Sequence, residues 1–132
     1  MERIFADKIF AAEFYYAGDR KLYFDVAKHI YDIAVMSRLD LIKEMLNNPI
    51  LLNEMVGYKR REESLRAGSD LSDKPFAEFT LPKKMKADRE LAGVFEQMER
   101  IYIFNDSYKY SYEEVCESFI NTFWEDCANA LW

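Results

Sequence analysis

Ser111-Tyr112-Glu113-Glu114-Val115-Cys116-Glu117-Ser118-Phe119-Ile120 is the stretch whose reading decides the fold class. A serine followed three residues later by a glutamate is the pattern of a capping box. The serine hydroxyl accepts from the glutamate N–H, and the glutamate carboxylate accepts from the serine N–H. Glu113 adds a second carboxylate in the first turn, where the helix dipole favours negative charge. From there Val115, Cys116, Phe119, Ile120, Phe123, Cys127 and Leu131 recur at three- and four-residue spacing. Such a stripe marks an amphipathic helix that other elements must cover.

The same period runs through most of the preceding chain. Residues 2–17 place Ile4, Phe5, Ile9, Ala12 and Tyr16 on one side and stop at Gly18, which suits a left-handed C-terminal position. Asp19 suits the N-cap of a second helix over 20–36, with Leu22, Tyr23, Val26, Ala27, Ile30, Ile33 and Ala34 inward. Ser37 can cap a short third helix ending at Leu46, with Leu39, Ile42 and Met45 inward. Asn47-Asn48-Pro49 breaks it, and Pro49 fits the first turn of a fourth helix, where an N–H is not needed. That helix, to about residue 67, is apolar at Leu51, Leu52, Met55 and Val56. It turns polar all round at Lys59-Arg60-Arg61-Glu62-Glu63, so its second half is expected to protrude or lie on the surface. A fifth helix over 87–104 carries Leu91, Val94, Phe95, Met98, Ile101 and Tyr102.

Residues 68–86 form the longest connection. Pro75 and Pro82 bracket the alternation in Phe76-Ala77-Glu78-Phe79-Thr80-Leu81 and limit it to one short β-hairpin or edge strand over 76–81. The expected architecture is a single all-α domain over 1–132, a bundle of five to six helices.

Half of the 132 residues are apolar and 32% are charged, a balance that argues for a compact core and against disorder. Charges at Glu2, Arg3, Asp7 and Lys8 interrupt the apolar run a signal peptide needs, so a cytoplasmic protein with no membrane segment is expected. Cys116 and Cys127 lie about 16 Å apart along one helix at 1.5 Å per residue, too far to pair, and read as buried thiols.

Charge is unevenly distributed. Residues 1–90 carry 16 acidic and 16 basic groups, whereas residues 91–132 carry eight acidic against two basic, so the formal charge of −6 belongs to the last third. That segment also holds Tyr108, Tyr110 and Tyr112, alternating with polar residues in a turn outside the helix stripes. Acids edged with tyrosines suit a basic partner, because opposite potentials steer encounter and aromatic rings anchor it. The predicted contact set is Asp106, Tyr108, Tyr110, Tyr112, Glu113, Glu117, Glu125 and Asp126, facing a basic protein or nucleoprotein. The expectation is a non-enzymatic inhibitor or regulator that needs no cofactor and no metal, with a homodimer seam as another use for leftover apolar surface. In composition the chain resembles bacterial immunity proteins, antitoxins and phage anti-defence proteins, anti-CRISPRs included, a likeness of type carried by no motif.

Two other readings compete. Lys59, Arg60, Arg61, Lys83 and Lys84, with Phe76 and Phe79 between them, could bind nucleic acid, yet residues 57–90 total only nine basic against seven acidic groups. His29, the single histidine, shares a helix face with Asp25 and Asp32, the kind of trio a metal-dependent or hydrolytic enzyme would use. No glycine-rich phosphate loop and no zinc-type cysteine spacing occurs.

Overall fold

A computed structural model describes residues 2–65 and 71–120. Seven helices occur among them: α1 (Glu2–Ala17), α2 (Tyr23–Met36), α3 (Asp40–Leu46), α4 (Pro49–Ser64), α5 (Leu81–Lys84), α6 (Arg89–Tyr102) and α7 (Tyr112–Phe119). The all-α class holds. None of the seven is long and apolar enough to cross a membrane.

α2 is the centre of the packing. It lies against α1 on one side and against α6 and α7 on the other, while α4 packs on α1 and α3. The stripes supply one continuous core, with Phe5, Ile9 and Tyr16 from α1 and Val26, Ile30 and Ile33 from α2. Leu91 and Phe95 of α6 and Val115 and Phe119 of α7 complete it. Helix starts follow local chemistry where a polar cap is available. Asn48 accepts from Leu51 N ahead of Pro49, Asp88 accepts from Leu91 N, and Ser111 and Glu114 form the full capping box.

The connection over 71–88 departs from expectation. No strand is present among the described residues; Phe76–Glu78 is a single turn of 3-10 helix. Phe76 and Phe79 explain why. A strand would put residues three apart on opposite faces, but a tight turn puts them on the same side. Both rings are buried, 5.1 Å apart edge to face, and both meet Phe10 of α1.

α5 is the additional helix, and its cap comes from a distance. Glu13 of α1, fully buried, accepts from Thr80 N at 2.9 Å, Leu81 N at 2.8 Å and Thr80 Oγ1 at 3.1 Å, with Lys74 Nζ at 3.2 Å. One carboxylate thereby satisfies the free N–H groups at the start of α5 and fastens the connection to α1.

Three turn assignments also change. Gly18 is not left-handed, and Asp19 caps nothing, since α2 starts after Leu22, whose N–H donates to Tyr15 O. Ser37 ends α2 rather than starting α3, its hydroxyl donating to Ala34 O. The second half of α4 lies on the surface, with Tyr58, Arg61, Glu62 and the C-cap Leu65 exposed, but does not protrude. Lys59 is only 8% exposed and pairs with Asp7 at 3.2 Å and Glu63 at 3.1 Å, so α4 is riveted to α1.

Candidate functional site

α6 ends at Tyr102, where its apolar stripe has run past the core. Ile101 and Tyr102, expected to face inward, are 55% and 58% exposed, and Phe104 is 89% exposed. Four residues further, Tyr108 is 62% exposed. Large apolar side chains scattered singly on a surface need no explanation, but four exposed within eight residues concentrate apolar surface in one segment. The Tyr102 ring continues it onto α2, 5.7 Å from Phe24.

The segment that carries this surface is held firmly. Asn105 Oδ1 accepts from Ser107 N and Ser107 Oγ, forming a local turn that starts the 3-10 stretch Asp106–Tyr108. Glu99 Oε2 accepts from Tyr110 N at 2.7 Å, and Tyr31 of α2 donates from its hydroxyl to Tyr108 O at 2.7 Å. The Arg38 guanidinium lies 4.5 Å from the centre of the Tyr110 ring. Anchored at both ends, the turn presents Phe104 and Tyr108 from a fixed backbone, which lowers the entropy lost on binding.

Burial shapes the charges here. It raises the Glu99 carboxyl above the usual glutamate range against the opposing Tyr110 N–H and Lys109, with Glu114 and Glu96 adding to the rise. Burial likewise lifts the Tyr31 hydroxyl, helped by Tyr110, Glu99 and Asp32.

The predicted contact residues divide. Asp106 and Tyr108 are exposed, Asp106 pairing with Lys109, three residues on, at 3.0 Å. Glu113 and Glu117 stand on the exposed side of α7. Tyr110 is half-buried, with its ring 5.9 Å from Tyr31. Tyr112 is a correction: it is 7% exposed, its ring packs 5.7 Å from Phe95 and its hydroxyl donates to Met85 O. Being the first residue of α7, it starts the inward stripe and cannot also serve as a surface anchor. Glu125 and Asp126, like Cys127, lie outside the described residues. Phe104 is the residue missed. Its signal was visible in the stripe itself, because Leu91, Phe95, Met98 and Tyr102 complete the three-four spacing and leave Phe104 off it.

The basic segment keeps three of its five predicted cations on the surface and commits the other two to the fold. Lys59 is buried among carboxylates. Arg60 Nη1 donates to Leu71 O at 2.8 Å and Lys74 O at 2.7 Å while the guanidinium covers the Phe76 ring at 5.1 Å. Burial lowers its pKa from the ordinary arginine value. Phe76 and Phe79 are core residues and offer no stacking face. Arg61, Lys83 and Lys84 remain exposed.

The His29 trio is not drawn together as a ligand set. No set of three or more metal-ligating side chains is gathered among the described residues. Asp32 is committed to Lys8 at 2.8 Å, and His29 stacks on Tyr15 with ring centres 5.7 Å apart. Burial, then Lys8, lower the imidazole pKa against the pull of Asp32 and Asp25, so the ring is neutral at physiological pH. Cys116 is fully buried, and burial pushes its thiol up to about 11, which keeps it protonated and unreactive.

No family model, no curated protein and no solved structure matches this chain.

Proposed function

We propose that this chain is a small cytoplasmic binding protein that inhibits or regulates a basic macromolecular partner, a protein or nucleoprotein. Its contact edge would run from the end of α6, through the Asp106–Tyr108 turn, along the exposed side of α7. The observation that carries this reading is Phe104, 89% exposed on an anchored backbone beside Tyr102 and Tyr108. Around it the charge is negative: residues 91–120 hold Glu96, Glu99, Asp106, Glu113, Glu114 and Glu117 against Arg100 and Lys109. Apolar anchors inside an acidic surround match a partner with an apolar pocket rimmed by Lys and Arg. An inhibitor of the immunity-protein, antitoxin or anti-defence kind would work this way, by covering the basic surface its target needs.

The test uses the intact chain to capture partners from a lysate and then measures the affinity of the recovered complex. Phe104→Ala with Tyr108→Ala should weaken it by about 2–4 kcal/mol, the range of central interface anchors. Glu113→Lys with Glu117→Lys should slow association, and raised salt should do the same to the unaltered chain. A complex indifferent to all three changes would overturn the reading.

A further inference from the structure

A cleft of about 370 Å³ lies between α6 and the start of α7, and it shares Glu113 with the edge just described. α7 runs back along α6, since Tyr110 meets Glu99 while Tyr112 reaches Phe95 and Met85. The cleft therefore has two ends. Lys86 and Arg89 line one, Glu96 and Glu113 the other, and Ala92 and the Tyr112 ring lie between them. Arg89 and Glu96 are seven residues apart on one helix, about 10 Å along its axis at 1.5 Å per residue.

The cationic end is distinguished by its density. Exposed cations without an ion pair among the described residues also occur singly, as at Arg20, Lys28, Lys43, Arg61 and Arg100. Lys83, Lys84, Lys86 and Arg89 are exposed and make no ion pair among the described residues, although they crowd into seven positions. Arg89 is nonetheless positioned, because it donates to Lys86 O and its guanidinium sits 5.9 Å from the Tyr112 ring centre. Of the two acids that flank Arg89, Asp88 is occupied by Tyr16 Oη at 2.7 Å and Leu91 N at 3.0 Å, and Glu90 faces Tyr23.

We propose that this cleft binds a small phosphomonoester with hydrogen-bond donors at its far end, namely a nucleoside monophosphate. The phosphate sits between Lys86 and Arg89, and the amino or hydroxyl donors point toward Glu96 and Glu113. A phosphomonoester carries about −1.5 to −2 charges at neutral pH, matching two cations better than a carboxylate does, and the planar guanidinium suits its oxygens. The flat part of the ligand lies over the cleft floor, where the largely buried Ala92 and Tyr112 leave only a narrow apolar strip in reach. A nucleic-acid strand is disfavoured, since its next phosphate would meet Glu96 or Glu113. The site owes nothing to a glycine-rich loop, and its phosphate end at Lys86 and Arg89 lies apart from the contact edge, with which the cleft shares Glu113.

The intact chain is titrated at low salt with 5′-AMP, 5′-GMP, 5′-CMP, 5′-UMP, the four nucleosides, inorganic phosphate and a short single-stranded oligonucleotide, followed by amide NMR. At least one monophosphate should shift the Arg89, Ala92 and Tyr112 signals and bind at least about tenfold tighter than its nucleoside and than phosphate. Arg89→Ala and Lys86→Ala should each weaken it several-fold, and Glu96→Gln should weaken the nucleotide while leaving phosphate unchanged. Lys43→Ala, remote from the cleft, should change nothing. The proposal is overturned if no monophosphate saturates at about 10 mM, well above a millimolar Kd. It is equally overturned if phosphate alone binds as well, if the oligonucleotide binds more tightly, or if folded Arg89→Ala retains full affinity.

Discussion

The Glu99 carboxylate accepts the Tyr110 backbone N–H at 2.7 Å, and through that bond the end of α6 holds the turn that displays Tyr108. Burial raises the Glu99 pKa, so the folded state binds its proton more tightly than the unfolded chain does. Its contribution to stability is therefore fully present below the ordinary glutamate pKa and falls as pH rises through the raised value. Glu99→Gln keeps an acceptor for Tyr110 N without the cost of a buried charge. The slope of urea stability against pH should flatten above about pH 4.3, the ordinary glutamate value. Glu99→Ala, which leaves Tyr110 N–H without its acceptor, should cost about 1–3 kcal/mol and speed amide exchange at Tyr110.

Glu13 is the stronger structural carboxylate. With no exposed surface and four donors from Lys74, Thr80 and Leu81, it joins α1 to the start of α5. Glu13→Ala leaves the Lys74 ammonium and two backbone N–H groups unpartnered and should destabilise the fold by about 3–5 kcal/mol in urea unfolding. Lys74→Met, which removes one donor and keeps the other three, should cost far less.

Arg60 is a structural cation, unlike the exposed Lys83 and Lys84. Its guanidinium closes the Leu71 and Lys74 carbonyls and packs over Phe10 and Phe76. Arg60→Ala should lower stability by about 1–3 kcal/mol and leave retention on a phosphate-bearing column unchanged. Lys83→Ala with Lys84→Ala should do the reverse, leaving stability within about 0.5 kcal/mol because both side chains are exposed.

What the sequence made legible was local. The Ser111–Glu114 box and the Asn48-Pro49 start need only neighbours three residues away, so their patterns carry over directly to the structure. The inward stripes of α1, α2 and α6 follow from period for most positions, but Ile4, Leu22, Ile101 and Tyr102, all expected inward, are exposed, the last two because they extend beyond the core that α2 and α7 provide. The features that escaped are long-range. Glu13 caps a helix start 68 residues away, Lys59 is buried by a carboxylate on α1, and Phe76 and Phe79 share a side because Phe10 draws both. None of these pairings leaves a mark on the spacing of its own segment. In the candidate site the acidic excess and the tyrosines could be read from composition. Which tyrosine is covered depends on the register of α7 against α6, and that placed Tyr112 in the core and Tyr108 outside.

Chemical labelling offers a separate check on the packing of α7. Cys116 is fully buried, with its thiol pushed up to about 11. In a Cys127→Ser background it should react with a thiol reagent at pH 8 only as fast as the protein opens, and at the rate of a free thiol once urea is added. Fast reaction of the native protein would place α7 off the core.

The central claim is that Phe104 and Tyr108, in their acidic surround, form the contact edge. The most direct measurement is the dissociation constant of the partner recovered with the intact chain, compared with that of the Phe104→Ala/Tyr108→Ala variant at matched salt. Both side chains are exposed, so the variant should keep its native circular dichroism and urea midpoint. The account predicts a loss of about thirtyfold or more in affinity, the equivalent of at least about 2 kcal/mol. An unchanged dissociation constant from a folded variant would contradict it.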